Sequence, residues 1–379
     1  MSRRKFLKGA AVVGGVAAAS AVAYKYGKQA GDTSGVSQTA APAISQGIKE
    51  LKMVTTWPKN FPGLGTGAER LAKRINTMSD GSLQVKVYAA GELVPAFQCF
   101  DAVSSGKAEM CHSASYYWQG KSPAFNFFTT VPYGMNAMEH AAWMLWGGGL
   151  KLQTELCDNF GVVPFMRGST GVQMGGWYRK EMNTLDDFKG LKFRMPGLGG
   201  EVLRKLGATV VNLPGGEIFP ALQAGTIDGT EWVGPWHDLA FGFYKVTKFY
   251  YWPGIHEPST TGEVLVNKKV WSDLSKQQQE IIRVAIQAEA INELAENQYR
   301  SSDALDVLVK KHGVQLRNYS DEILKALGKA SMEVVSEIGN KDPFTKKVYE
   351  SFMAQRKKAI AWSRLGEQSF MNARSLIGS

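Results

Sequence analysis

The 379-residue sequence predicts an α/β protein with two lobes around a central cleft, a long bracing helix and additional C-terminal helices. Three observations indicate this fold. The chain is longer than one ordinary domain, so we expect two hydrophobic cores. Its first half alternates strand-like and helix-like segments, which favours a parallel-rich sheet with helices on both faces. A helical pattern well beyond the average helix length then begins near Ser275.

The first 23 residues have the pattern of an export signal. A basic start, Met1-Ser-Arg-Arg-Lys-Phe-Leu-Lys8, precedes an Ala/Val/Gly run that ends at Ala23 in a small-residue cleavage site. The basic segment is similar to the twin-arginine signal, which implies export by the twin-arginine translocase to the periplasm. An uncleaved anchor is the alternative, although the apolar run of roughly 14 residues is short for a bilayer core of about 30 Å. Residues 24–47 are small, polar and aperiodic, which predicts a flexible linker.

Charge and cysteine content narrow the function classes. The net charge is +10, and removing residues 1–23 would leave about +6 without a Lys/Arg cluster. This excludes a nucleic-acid footprint and favours anionic solutes. The sequence has three cysteines, Cys99, Cys111 and Cys157. Because their number is odd and no Cys-x-x-Cys motif occurs, no disulfide framework or zinc ribbon is expected. We expect free buried thiols, with one bridge as the alternative.

Lobe I is predicted to span residues 48–171 plus about 260–300. Alternating apolar residues indicate strands, and apolar residues three and four apart indicate amphipathic helices. The predicted elements are strand Lys52–Trp57, helix Thr66–Met78, strand Leu83–Tyr88 and helix Pro95–Ser105.

Lobe II is predicted to span residues 172–259 plus part of the C-terminal region. The strand-like stretch Val162–Tyr178 leads into it. After Lys245, the run FYYWP and the apolar segment Glu263–Asn267 are both interpreted as crossings back toward lobe I, which would form a hinge. The elements predicted between them are strands Leu191–Arg194 and Ala208–Leu213 and helices Gly200–Leu206 and Gly216–Gly225.

Residues 275–379 are predicted to be helical. Ser275–Lys311 forms the long bracing helix, and two more helices cover about Asp321–Ile338 and Thr345–Ala373. The apolar stripes of these last two helices have two interpretations: packing onto the chain's own lobes, or a homodimer face.

One arginine and one glutamate stand out because their neighbours are apolar. Arg194 closes a short strand pattern that Met195-Pro196-Gly197 ends, because Pro lacks an N–H and disfavours helix at the preceding residue. Ligands bind at such carboxyl ends of strands, and a planar guanidinium suits a carboxylate. Glu231 lies beside Trp232 and Val233, so it needs a cation, a donor or a shifted pKa. A surface arginine and a structural ion pair are the alternatives.

The segments DDFKGLKFRMPG and GGEIFPALQAGTIDGTEW resemble the solute-binding proteins of tripartite ATP-independent periplasmic (TRAP) transporters, the DctP-like family. Phe100–Met110, Ser113–Trp118 and Pro132–Met135 extend the resemblance in order, over roughly residues 48–340. It implies a periplasmic-binding-protein-like architecture with a central ligand cleft, a TRAP membrane permease as partner and no enzymatic activity.

Three further segments are similar to the members that bind small 2-oxo or 2-hydroxy monocarboxylates, such as pyruvate or lactate, through a bound cation. These are Val172–Trp177, Thr230–Pro235 and Trp252–Glu257. The resemblance implies Na⁺ or Ca²⁺ held by Gln173, Glu231, Glu257 and the backbone carbonyl of Trp232, with no organic cofactor. Hard cations prefer such oxygen ligands.

The resemblance also implies the contacts to the solute. Arg194 would clamp the carboxylate, and the predicted wall consists of Gln173, Tyr117, Tyr116, Phe97, Trp232 and Glu257. His256 is interpreted as a rim residue rather than a ligand. Asn136 and Asn212 have two interpretations: a turn or cap, which is favoured, or a polar contact in the cleft.

Two other function classes remain as alternatives. One is an exported, cofactor-containing enzyme, although the sequence has no Gly-x-Ser-x-Gly, no His-Glu-x-x-His and no Walker loop. The adjacent pairs His237-Asp238 and His256-Glu257 would diverge on a strand, so neither pair is expected to form a catalytic triad or a metal site unaided. The other is a binding protein of another importer or of a sensor.

Overall fold

A computed structural model describes residues 47–378. The predicted signal peptide and almost all of the predicted linker lie outside these residues, as does the twin-arginine motif. Among residues 47–378, no helix combines the length and the apolar character needed to span a bilayer.

Eleven strands form two sheets within the described residues. In chain order they are β1 (Lys49–Thr55), β2 (Leu83–Tyr88), β3 (Met110–Ser113), β4 (Val162–Ser169), β5 (Gly176–Tyr178), β6 (Lys192–Arg194), β7 (Thr209–Val211), β8 (Gly229–Thr230), β9 (Phe249–Trp252), β10 (Thr261–Asn267) and β11 (Gln315–Asn318).

The α-helices of the same residues are α1 (Leu64–Met78), α2 (Cys99–Ser104), α3 (Ala137–Leu145), α4 (Gly149–Asp158), α5 (Gly197–Lys205), α6 (Gly215–Ala224), α7 (Pro235–Phe241), α8 (Lys268–Asp273), α9 (Lys276–Asp306), α10 (Asp321–Gly339), α11 (Pro343–Leu365) and α12 (Glu367–Ser375).

The first sheet, which we assign to lobe I, has the order β2-β1-β3-β10-β4. Its first three strands are parallel, as the alternation predicted, because helices connect them. Strand β10 returns antiparallel between β3 and β4, which confirms that Glu263–Asn267 crosses back to lobe I.

The second sheet, which we assign to lobe II, has the order β11-β9-β5-β8-β6-β7. The prediction that the FYYWP run crosses to lobe I is wrong, because β9 pairs with β5 and β11 within the second sheet. Val162–Tyr178 is also not one strand: residues 170–175 separate β4 from β5, and this loop carries Gln173. The exact lobe boundaries stay a prediction.

The long helix α9 has 31 residues and packs against β4 and α1 of lobe I and against α7 of lobe II. It therefore braces both lobes, as predicted. Its lobe I face is apolar near its start, where Ile282, Ala285 and Ile286 are buried, and charged further along, where Glu289 and Glu293 are buried.

Two of the predicted helices differ in extent from the helices of the structure. The helix predicted over Pro95–Ser105 begins as a 3-10 turn at Ala96–Gln98 before α2. The last predicted helix is divided at Gly366 into α11 and α12. Helix α10 packs on α5, and α11 packs on α3 and α4, so the predicted packing onto the chain's own body is confirmed for these two helices.

All three cysteines are free and buried, as expected. They lie in the core of lobe I together with residues of α2, β3 and α4. Burial raises the pKa of the Cys157 thiol well above its ordinary value, so this thiol stays protonated and inert.

Candidate functional site

Arg194 and Glu231 meet at the carboxyl edge of the second sheet. Arg194 is the last residue of β6 and pairs in register with Thr230, the last residue of the parallel strand β8. Parallel strands that end together place the next residues side by side, so Glu231 lies beside Arg194. The strand ends there because Pro196 follows and Gly197 adopts a φ of 58° that favours glycine.

The Arg194 guanidinium is buried and only partly satisfied. Its Nε donates to the carbonyl of Leu213 at 3.1 Å, and Nη1 donates to the Glu231 carboxylate and to the Glu231 carbonyl, the latter at 3.3 Å. The ring of Trp232 lies 5.0 Å from the guanidinium carbon. Within the described residues Nη2 has no partner, although it is buried. A buried N–H without an acceptor costs free energy, so this nitrogen is a candidate contact for an anion.

Gln173 presents the complementary feature, a free oxygen. Its Nε2 donates to the hydroxyl oxygens of Thr170 at 3.1 Å and Thr260 at 2.6 Å. These two bonds fix the amide orientation. The buried Oε1 is left without a partner in residues 47–378. The side chain therefore offers a carbonyl oxygen to the site.

Three buried titratable side chains converge beside this pair. Glu231, His256 and Glu257 each offer one ligand atom, and these atoms lie within 4.8 Å of one another. His256 Nε2 is 3.3 Å from Glu231 Oε2, and Glu257 accepts from the Thr260 hydroxyl. Burial, and then the charge of Glu231, raise the pKa of Glu257 to about 7. Such a cluster is suited to a cation.

His256 was underestimated by sequence reasoning, which placed it on the rim. It is only 4% exposed and belongs to the cluster. Adjacent side chains diverge on a strand, whereas residues 255–256 form a turn, and His256 and Glu257 both reach the same cluster. The signal that the sequence offered for this turn was the Trp252-Pro253-Gly254 run.

A small cavity between the lobes lies next to the cluster: Gln173, Trp232 and Thr260 line it, and the Thr260 hydroxyl donates to Glu257. Its volume is about 10 Å³, close to the space that one water molecule requires. The lining residues are Trp57, Leu64, Tyr116, Tyr117, Arg167, Thr170, Gln173, Trp232, Val233 and Thr260. Four residues of the predicted solute wall thus lie together in this lining, namely Tyr116, Tyr117, Gln173 and Trp232. Their contact with a solute stays a prediction.

Phe97 lies at the mouth rather than in this wall. Its ring centroid is 4.8 Å from that of Tyr117, and it lines an open groove of about 620 Å³ together with Asn212 and residues of α6. Asn136 caps α3 in a capping box, as expected for an asparagine at that position.

Comparison with known proteins then identifies the family. Residues 53–342 match the family described as bacterial extracellular solute-binding protein, family 7. The chain belongs to this family. It is also 42% identical over 337 residues to the monocarboxylate 2-oxoacid-binding periplasmic protein of Nostoc sp. (strain PCC 7120), a match covering 88% of this chain and 92% of that relative.

Solved structures give the same result. The TRAP periplasmic solute-binding protein of Pseudoalteromonas atlantica, with bound sodium and pyruvate, is 39% identical with a TM-score of 0.84, over 86% of this chain and 99% of that one. The protein of Colwellia psychrerythraea, with bound calcium and pyruvate, is 40% identical with a TM-score of 0.84, over 86% of this chain and 100% of that one.

Family membership settles the function class. The chain is a TRAP solute-binding protein with the two-lobed fold of that family. It belongs to a family of transporter components outside the cytoplasm and not to the enzymes, which confirms the expectation from the sequence.

Proposed function

We propose that this solute-binding protein captures a small 2-oxo or 2-hydroxy monocarboxylate, such as pyruvate or lactate, with an arginine clamp and a bound cation. One observation carries the proposal: Arg194 Nη2 and Gln173 Oε1 are buried and without partners in the described residues, Gln173 in the cavity lining and Arg194 against the ring of Trp232, which belongs to the same lining. One atom donates and the other accepts, so they suit an anion and a cation bound together. The monocarboxylate relative and the two pyruvate-bound structures support this solute class.

The donor set of the cleft fits a hard cation. Gln173 Oε1, the carboxylates of Glu231 and Glu257 and the Trp232 carbonyl would hold it, since Na⁺ and Ca²⁺ prefer oxygen ligands. A bound cation would supply the positive charge that lets two buried carboxylates and a solute carboxylate coexist. His256 would then hold Glu231 in position through the 3.3 Å contact between Nε2 and Oε2.

The residues of lobe I complete the pocket. Tyr116 and Tyr117 bring aromatic area and hydroxyl groups from the turn after β3, and Trp57 packs with its ring centroid 6.3 Å from that of Trp232. These contacts join the two lobes. We therefore infer that binding shifts the chain toward a closed form, which the TRAP permease recognises before it takes up the solute.

Calorimetry with pyruvate and lactate in the presence of Na⁺, Ca²⁺ or a chelator tests the proposal. We expect solute affinity to fall at least about tenfold when the cation is removed, because Glu231 and Glu257 then repel the solute. Cation-independent binding would remove both residues from their proposed roles. Formation of a product from either acid would instead favour the enzyme alternative.

Export through the twin-arginine translocase is proposed from Arg3 and Arg4. Replacing both by Lys should keep the chain in the cytoplasm, whereas the adjacent Lys5→Gln change serves as a control. Periplasmic recovery of the Arg3→Lys/Arg4→Lys variant would exclude this route.

A homodimer is proposed from the C-terminal surface. Large apolar side chains of α11 and α12 and beyond are exposed in the described chain: Trp362, Leu365, Phe370, Met371, Leu376 and Ile377. Such a patch is uncommon on a monomer. Light scattering should show a dimer that the Leu365→Glu/Phe370→Glu variant converts to a monomer; a monomeric parent protein would contradict the proposal.

A further inference from the structure

Lobe I also holds a buried arginine, Arg167, and this one lines the cleft cavity itself, whereas Arg194 lies behind Trp232 of the lining. Arg167, in β4, is 1% exposed and is part of the cavity wall. Gly262 of the neighbouring strand β10 makes room for it, because a Cβ there would collide with the guanidinium. The guanidinium carbon lies 5.6 Å from the centre of the Trp57 ring. A buried guanidinium beside a solute cavity is an anion-binding group unless its charge is already balanced.

Glu293 of α9 provides that balance. Both of its carboxylate oxygens contact Arg167 Nη1, and the Glu293 side chain is 1% exposed. The long helix α9 thus places a carboxylate beside Arg167. Among the residues that line the described cavity, Arg167 is the one with a cationic side chain. The next ion pairs along α9 lie further out: Glu289 binds Arg70 at 2.7 Å, and Arg70 is about one-third exposed, 31% by side chain.

We propose that Glu293 is a specificity-determining residue, which neutralises Arg167 and so restricts the cleft to solutes with a single carboxylate. This inference rests on the proposed function, since it assumes that a carboxylate binds Arg194. The second carboxylate of a dicarboxylate solute would meet a neutral ion pair in lobe I. The free-energy cost of desolvating this carboxylate would then not be offset by a cation. Without the Glu293 charge, the Arg167 guanidinium would bind that second carboxylate.

The test compares two acids of the same length. Oxaloacetate carries a second carboxylate where 4-methyl-2-oxopentanoate carries an isopropyl group of similar shape. Calorimetry with freshly dissolved acids gives the affinity ratio for the parent protein and for Glu293→Gln. We expect the ratio to shift toward oxaloacetate by at least about tenfold in the variant, because a close buried charge pair is gained. Where Glu293→Gln does not fold, the smaller Glu293→Ser, which admits water beside the guanidinium, replaces it.

Two controls isolate the Arg167 charge. Glu289→Gln removes a buried carboxylate from the same helix, yet Arg70 keeps Glu296 at 2.7 Å and does not line the cavity. This variant should leave the ratio unchanged. Arg167→Met/Glu293→Gln removes the cation as well and should reverse the shift. An unchanged ratio in Glu293→Gln, or an equal shift in Glu289→Gln, would overturn the inference, whereas a parent protein that binds neither pyruvate nor lactate would overturn the proposed function itself.

Discussion

Two buried arginine–glutamate pairs lie at the same cleft, one in each lobe, and they differ in what surrounds them. In lobe II, Glu231 pairs with Arg194 Nη1 and also contacts His256, and Arg194 Nη2 has no partner in the part of the chain that the structure describes. In lobe I, Glu293 approaches Arg167 Nη1 with both oxygens, and it belongs to no candidate cation cluster among residues 47–378. The same two residue types thus make a binding group in one lobe and a neutral wall in the other.

Arg194→Ala should have the largest effect on this comparison. It removes Nη2 and leaves Glu231 buried without the guanidinium that pairs with it. We therefore expect pyruvate affinity to fall by at least about 100-fold. Calorimetry measures the loss, and circular dichroism monitors the fold. Arg204→Ala, an exposed arginine of the same lobe paired with Glu201, is the matched control and should bind normally. Affinity within about threefold of the parent value would reject the clamp.

Gln173→Ala should have the second-largest effect. It deletes the free Oε1, and we expect the cation concentration needed for half-maximal solute binding to rise at least about tenfold. Gln153 is a suitable control. Its Oε1 is also buried and unpartnered within residues 47–378, but its Nε2 donates to Glu263 at 2.8 Å and the residue does not line the cavity. If Gln153→Ala raised the cation requirement as much as Gln173→Ala, the effect would be structural and Gln173 would not be a ligand.

Glu263→Gln should have the smallest effect. It is expected to change the free energy of unfolding rather than the affinity for the solute. Burial raises the pKa of Glu263 to about 7, so the native state holds a proton that the unfolded chain releases above its usual pKa of 4.5. Stability is therefore lost as pH rises from about 5 through 7. Gln153 can turn its Oε1 toward an amide at position 263, so Glu263→Gln should gain about 1 kcal/mol or more at pH 8 and little at pH 5.

Denaturant titrations of both proteins at these two pH values measure the difference. Equal stability gains at pH 5 and pH 8 would show that Glu263 is not neutral in the native state. In that case a second negative charge would act on Arg167 in lobe I besides Glu293, since the Arg167 charge is close enough to lower the pKa of Glu263 against the effect of burial.

Sequence periodicity predicted most elements of lobe I, because amphipathic patterns report directly on a buried face. The strand Leu83–Tyr88 and the helix ending at Met78 agree with the structure within two residues. The assignment of β9 failed for a different reason. An aromatic run such as Phe249–Trp252 is compatible with either sheet, and pairing with β5 and β11 depends on long-range register.

The sequence indicated individual residues of the candidate site, but it did not indicate how these residues are arranged. Arg194 and Glu231 were visible as polar residues in apolar segments, and resemblance to a known family added Gln173 and Glu257. His256 was misplaced because its orientation depends on a turn, and Phe97 lies at the mouth because its distance from the cavity depends on how the 3-10 turn before α2 packs. The pairing of Arg167 with Glu293, 126 residues apart, left no local pattern.

The sequence by itself determined the α/β alternation, the long helix, the family and the strand end that presents Arg194, because each depends on neighbours within a few residues. Only the tertiary structure decided which charges are free. Whether a buried guanidinium binds a solute depends on which distant carboxylate reaches it, and the fold brings Glu231 to one arginine and Glu293 to the other.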